Sequence, residues 1–235
     1  MKIPRFIVSV EAKAAEAWIS DGEIVHRIKD VLRLAPGREV ILSDGRGHEL
    51  RGVISALEPQ RVGVTIEHTT ARVLPLARQV TLYAAIIKHK HFDMVVEKAT
   101  EVGVVDIVPV IAERTVKLGV ARARLEKIIV EASEQCGRAM LPTLGEPLNF
   151  FVALEEARKK YDVVWLVDFC KQQFKPVDIP APVNRVAIFI GPEGGWSKQE
   201  RAAAEQAECL IRSLGSLTLR AETAAIIASY LATSS

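Results

Sequence analysis

The chain has 235 residues and carries 31 Lys and Arg against 29 Asp and Glu, a formal net charge of +2. At about 150 residues per domain this length holds one to two domains, and a 49% hydrophobic composition excludes a disordered chain. No apolar run reaches the roughly 18 residues that a membrane helix needs, and the N-terminus shows neither the apolar stretch nor the cleavage site of a secretory leader. The three widely spaced cysteines, Cys136, Cys170 and Cys209, suit a reducing cytoplasm better than a disulfide framework. None forms a C-x-x-C pair, so structural zinc is not expected.

In chain order, the first 72 residues read as short strands broken by turns. Helical stretches are predicted at about Ala12–Ser20 and Ile24–Leu32. Val40-Ile41-Leu42 is strand-like and runs into Asp44-Gly45, a tight-turn signal. Leu50–Leu57 and Val62–Ile66 supply two more strands, so this part predicts a small β-barrel. After a seam at residues 71–79 the pattern lengthens. Val80–Ile87 is a strand, and Phe92, Val95, Val96, Ala99 and Val102 form a helical stripe closed by Gly103. Val104–Ile111 is a buried strand, and Leu125, Ile128, Ile129, Ala132 and Cys136 mark a second helix. Val163–Val167 and Val186–Ile190 contain nothing polar, as expected of a parallel sheet covered on both faces. Lys171–Asn184, with Pro176, Pro180 and Pro182, is the longest irregular connection. Residues 73–235 therefore predict an α/β domain.

Neither part is basic. Residues 1–72 hold 11 basic and 10 acidic side chains, and residues 73–235 hold 20 and 19. A nucleic-acid surface here would come from the placement of charges, not from their excess.

The most informative segment is Val186–Ile190 followed by Gly191-Pro192-Glu193-Gly194-Gly195-Trp196-Ser197. A buried strand ends in a three-glycine turn, and a helix begins at once with the capping box Ser197-x-x-Glu200. Glycines at the carboxyl end of a parallel strand let the backbone approach a ligand, although they also serve any tight strand-to-helix turn. The spacing matches neither the phosphate loop G-x-x-x-x-G-K-[ST] nor the dinucleotide fingerprint G-x-G-x-x-G. It suits a nucleoside-like ligand held through the backbone. A second element, Leu214-Gly215-Ser216-Leu217-Thr218-Leu219-Arg220-Ala221-Glu222-Thr223-Ala224, brings Arg220 and Glu222 to the start of an alanine-rich last helix. An arginine beside a buried helix start needs a partner or an anionic ligand, and an Arg220–Glu222 ion pair is the simplest such partner.

These two elements together resemble the SPOUT superfamily of S-adenosylmethionine-dependent RNA methyltransferases, and more closely its RsmE family, which methylates N3 of a uridine in 16S rRNA. The G-P-E-G-G loop at Gly191–Gly195 and the Leu214-Gly215…Leu219-Arg220-x-Glu222-Thr223-Ala224 element carry the resemblance. Glu97–Val104, Glu134-Gln135-Cys136-Gly137-Arg138 with Pro142, and the N-terminal Pro4-Arg5-Phe6 and His26…Val31-Leu32-Arg33-Leu34 extend it over essentially the whole chain. The family usually has proline and arginine after the second Leu-Gly and threonine before Glu222. Ser216, Leu217 and Ala221 stand there instead, which leaves the loop less rigid.

The resemblance implies a PUA-like, RNA-binding β-barrel (residues 1–72) before an α/β SPOUT methyltransferase domain (residues 73–235), which has a mainly parallel sheet, a C-terminal trefoil knot and a homodimer interface. It implies S-adenosyl-L-methionine held by Leu166, Ile190, Gly191, Pro192, Glu193, Gly194, Gly195, Leu214, Gly215 and Leu219. The substrate would be uridine 1498 of 16S rRNA within the small ribosomal subunit. Uracil N3 must lose a proton, so Arg220, with Arg138 second, is expected to stabilise the developing anion. Glu222 or Glu101 would orient that arginine or accept the proton. Arg5, Arg27, Lys29, Arg33 and Lys88 are the expected RNA contacts. His89-x-His91 lacks a third metal ligand, so no metal is expected, nor any membrane partner. Two other readings remain open at this point: methylation of another RNA, such as tRNA or 23S rRNA, and a non-catalytic RNA-binding protein with a degenerate cofactor pocket.

Overall fold

A computed structural model describes residues 3–8, 11–13, 15–71, 78–116, 119–175, 178–179 and 183–234. The contacts divide the chain into two units. One is Met1–Leu74 with Ser133–Leu141, and the other is Pro75–Ala132 with Pro142–Ser235.

In the first unit, β1 (Arg5–Ile7), β2 (Glu11–Lys13), β3 (Glu16–Ile19), β4 (Glu39–Ser43), β5 (His48–Leu57) and β6 (Val62–Ala71) form one sheet in the order β1-β4-β5-β6-β3-β2. Only β1 and β4 pair in parallel. Among the described residues no pairing of β1 with β2 closes the sheet into a barrel. The helix expected near Ile24 is α1 (Gly22–His26), capped by the Asp21 carboxylate and continued by a widened turn over Arg27–Val31. Phe6, Ile19, Ile28, Leu42 and Ile54 are buried at its core.

The helix expected at Ala12–Ser20 is absent. That stretch holds β2 and β3, which form an antiparallel pair. Alanine favours helix, but Ala17 and Ile19 both point inward with the period of a strand. Their pairing with Val64 and Val62 of β6 outweighs local propensity. Trp18, on the other face, is covered by the Arg61 guanidinium 4.2 Å from the ring centroid. The Asp44-Gly45 turn is also wider than a two-residue hairpin, because the Asp44 carboxylate accepts hydrogen bonds from the Arg46 and His48 amides.

Ser133–Leu141 joins this unit through buried polar contacts. Glu134 accepts a hydrogen bond from the Ile7 amide at 2.8 Å and pairs with Arg27 at 2.6 Å. The Ser43 hydroxyl donates to the Ala139 carbonyl, and the Leu141 amide donates to the Gly45 carbonyl.

The second unit is a fully parallel sheet of β7 (Gln79–Ala85), β8 (Asp106–Ile111), β9 (Thr143–Leu144), β10 (Leu148–Asn149), β11 (Val163–Val167), β12 (Arg185–Ile190) and β13 (Leu210–Arg212). Its order is β10-β8-β7-β12-β11-β13, with β9 beside β8. The helices are α2 (His89–Glu101), α3 (Arg122–Cys136), α4 (Phe150–Lys160), α5 (Lys198–Gln206) and α6 (Ala221–Ser234), and the last turn of α3 belongs to the first unit. Gly103, at φ +99°, closes α2 as its spacing predicts. Pro176, Pro180 and Pro182 of the long connection lie outside the described residues.

The sequence reading missed α4. Asn149 caps it by accepting the Phe151 amide, and Phe150, Ala153, Leu154 and Ala157 face the core at helical spacing. Tyr83 and Phe189 stack at 4.5 Å in that core, with Phe150 and Trp196 beside them. At its edge, burial pushes the Cys209 thiol up to about 11, whereas Cys136 is exposed. At pH 8 Cys209 should carry on the order of a hundredfold less thiolate than an ordinary cysteine. Iodoacetamide should therefore label Cys136 and spare Cys209, as read by peptide mass spectrometry; equal labelling of the folded protein would contradict this.

Candidate active site

β11, β12 and β13 run parallel and side by side, so their carboxyl ends share one edge of the sheet. The loops leaving them enclose a cavity of about 380 Å³, where open α/β sheets bind ligands. Val167, Phe169, Pro192, Leu214, Leu217 and Leu219 give it apolar walls, and Asp168, Glu193, Ser213, Thr218 and Arg220 add polar groups. This size and mixture suit a small organic ligand, for which pockets span about 300–1,000 Å³.

Long-range bonds hold the loops in place. The Trp196 indole donates to the Val167 carbonyl at 3.0 Å and so ties the loop after β12 to the end of β11. A Cβ at Gly191 would stand 3.1 Å from that indole, so the ring packs directly on bare backbone. Gly195 sits at φ +68°, a conformation that side chains disfavour. The capping box forms as its spacing predicts: the Ser197 hydroxyl accepts from the Glu200 amide, and the Glu200 carboxylate accepts from the Ser197 amide. The other oxygen of Glu200, a residue only 1% exposed, accepts from the Glu113 amide at 2.8 Å. Arg114 Nη1 donates to the Gly194 carbonyl at 2.7 Å, and Arg201 pairs with Asp168 in the cavity wall.

Of the expected cofactor positions, Ile190, Gly191, Pro192, Glu193, Gly195, Leu214, Gly215 and Leu219 line the cavity. Two do not. Leu166 lies one residue too early on β11, so strand alternation turns it into the core, and the wall begins at Val167. Gly194 faces the Arg114 side chain instead. Asp168, Phe169, Trp196, Ser213, Leu217, Thr218 and Ala224 also line the cavity, and sequence reasoning did not single them out for it.

Arg220 reaches the cavity but is not buried, its side chain being 79% exposed. Its ion pair with Glu222 is loose, at 3.9 Å. Glu222 is buried and is bound instead by His91 Nδ1 at 2.9 Å. Glu101 pairs with Lys98 at the opposite end of α2, about 15 Å along the helix from His91, so it does not share a site with Glu222. Arg138 belongs to the first unit and is buried, with Nε donating to the Met140 carbonyl at 2.6 Å.

Comparison with known proteins bears on what this cavity serves. Residues 74–233 match the family described as an RNA methyltransferase domain, and residues 20–67 match an RNA methyltransferase PUA domain. A protein from Synechocystis named ribosomal RNA small subunit methyltransferase E is 30% identical over 87% of this chain and 68% of its own. The chain belongs to the ribosomal RNA small subunit methyltransferase E family. A second member, from Rickettsia conorii, is 28% identical over 95% of this chain and 91% of its own. The member from Neisseria gonorrhoeae, solved bound to S-adenosyl methionine, superposes with a TM-score of 0.85 at 30% identity over 97% of this chain and 95% of that one. A protein from Legionella pneumophila, solved with S-adenosylmethionine as bound cofactor, gives a TM-score of 0.87 at 29% identity over 97% and 96%.

Of the RNA contacts expected for this family, Arg5 is not a surface cation. It is buried in an ion pair with Glu49, because a buried guanidinium needs a carboxylate. Arg27 is engaged with Glu134 and lies over the Phe6 ring. Lys29 donates to the carbonyls of Glu58 and Pro59. Arg33, at φ +49°, and Lys88, at the start of α2, are exposed.

Proposed function

We propose that the protein transfers a methyl group from S-adenosylmethionine to N3 of uridine 1498 in the 16S rRNA of the small ribosomal subunit. The observation that carries this reading is the exposed Arg220 at the rim of the three-loop cavity in a chain of this family. The residues present fit the cofactor. Apolar walls suit a nucleoside base, the glycine loops offer backbone at close range, and a Cβ at Gly215 would meet no protein atom within 4 Å. Val167, Phe169, Ile190, Gly191, Leu214 and Leu219 would hold it.

When bound, the cofactor supplies an electrophilic methyl group on a sulfonium. The loops orient it and exclude water, so alignment contributes much of the acceleration. As the N3 proton passes to solvent water at the exposed rim, Arg220 stabilises the negative charge it leaves on the uracil oxygens. The target base must leave any helix it is paired in. On this reading residues 1–72 bind RNA, and residues 73–235 carry methyl transfer and the homodimer interface. The exposed Ile227 and Tyr230 on α6 support the dimer. The strand order β7-β12-β11-β13, with α6 packed back on α2, β7 and β12, supports a C-terminal trefoil knot.

Small subunits lacking the modification, incubated with the protein and labelled cofactor, should yield N3-methyluridine in 16S rRNA. Label confined to 23S rRNA or tRNA would overturn the assignment. With only +2 per chain, long-range steering is weak, so assembled subunits should be methylated faster than free 16S rRNA. Equal turnover on both would defeat that expectation.

A further inference from the structure

We propose that His91 is a positioning residue: its hold on the Glu222 carboxylate keeps Arg220 extended over the cavity. Glu222 is the pivot. Its side chain is 10% exposed at the start of α6, and one oxygen, Oε1, faces two cationic or donor groups. His91 Nδ1 stands 2.9 Å from it and Arg220 Nη1 3.9 Å. A buried carboxylate keeps whichever partner best replaces its lost water. A carboxylate can only accept, so the Nδ1 of His91 carries the hydrogen. With that bond made, Glu222 has no need to draw in the guanidinium, whose side chain is consequently 79% exposed.

Both members of the bond sit on rigid elements. His91 lies in the first turn of α2 and Glu222 in the first turn of α6, and these helices pack on each other. Lys88 and Lys90, one turn and one residue away, are both exposed, and Asp93 is engaged by Arg124. The sequence pairs Arg220 with Glu222 by proximity alone. The fold gives Glu222 a closer partner from 131 residues away, and so leaves the arginine available for a substrate anion.

The test reads Arg220 directly, by the rate of its modification with phenylglyoxal, followed by peptide mass spectrometry on the full-length protein. In His91→Ala, and in His91→Phe, which keeps the ring volume but no donor, Glu222 should recapture Arg220 and slow its modification about threefold, as expected for a partly exposed ion pair. His91→Asn places an amide donor near Nδ1 and should restore the wild-type rate. Adding Glu222→Gln to His91→Phe should also restore it, since the recapturing charge is gone. An unchanged rate in both His91→Ala and His91→Phe, or slow modification in the double variant, would overturn the proposal. The kinetic arm rests on the methyl-transfer reading. kcat should fall about tenfold in His91→Phe with cofactor affinity unchanged, and should recover in His91→Asn. The modification arm does not depend on that reading, so failure of the one can be told from failure of the other.

Discussion

Arg220→Ala is expected to lower kcat for uridine methylation by about two to three orders of magnitude, the cost of removing one preorganised donor from a developing anion. Stability should hardly change. The side chain is 79% exposed and its nearest carboxylate oxygen is 3.9 Å away, so the unfolding free energy should change by no more than the roughly ±0.5 kcal/mol typical of surface substitutions. Cofactor affinity should also persist, because the Arg220 side chain stands exposed at the rim, whereas the cavity walls are apolar side chains and glycine backbone that the substitution leaves in place. Arg220→Lys separates charge from geometry. Lysine keeps the positive charge but loses the planar fork that can meet a carbonyl edge with two donors, so it should recover only part of the rate. Thermal melts, calorimetry with S-adenosylmethionine and single-turnover kinetics on small subunits give the three readouts. Turnover of Arg220→Ala within about threefold of the wild type would remove the residue from the anion-stabilising role.

The sequence made the site's chemistry legible where its determinants are local. The capping box of Ser197 and Glu200, the glycines ending β12 and the uninterrupted apolar strands each depend on neighbours within a few residues, and each forms as its spacing predicts. What stayed hidden depends on partners far along the chain. Nothing near Arg5 announces that Glu49 will bury it, and nothing near Glu222 announces His91. Glu200 has a legible local role, while its second bond, to the Glu113 amide, has no sequence signature. The misread helix at Ala12–Ser20 has the same cause: alanine content reports intrinsic propensity, whereas pairing with β6 decides the structure. The missed α4 differs, since its signal was present. Asn149 before Phe150, Ala153, Leu154 and Ala157 is a cap followed by a stripe, made faint because two of its four core positions are alanine.

The second large effect concerns Glu200, whose two bonds make separable predictions. Ser197→Ala removes the hydroxyl that caps α5 and should cost about 1 kcal/mol. Glu200→Ala removes both carboxylate oxygens at a site only 1% exposed. It leaves the Ser197 and Glu113 amides without their 2.8 Å acceptors. A buried donor left unsatisfied costs about 1–3 kcal/mol; the Ser197 bond is buried and the Glu113 bond partly so, so the loss should total about 3 kcal/mol. In a chain of this length that lowers the melting temperature by about 6–12 °C. Glu200→Gln keeps one acceptor oxygen and should fall between the two. Each variant removes one of the two reciprocal bonds of the capping box, so with these local losses comparable the excess of Glu200→Ala over Ser197→Ala reports on the long-range bond. That bond ties the start of α5, and with it the glycine loop, to the segment after β8 that also sends Arg114 to the Gly194 carbonyl. Loosening it should therefore weaken S-adenosylmethionine binding by about tenfold, whereas Ser197→Ala should leave binding close to wild type. Equal destabilisation by Ser197→Ala and Glu200→Ala would show that the Glu113 bond contributes nothing, and the glycine loop would then owe its position to Trp196 and Arg114.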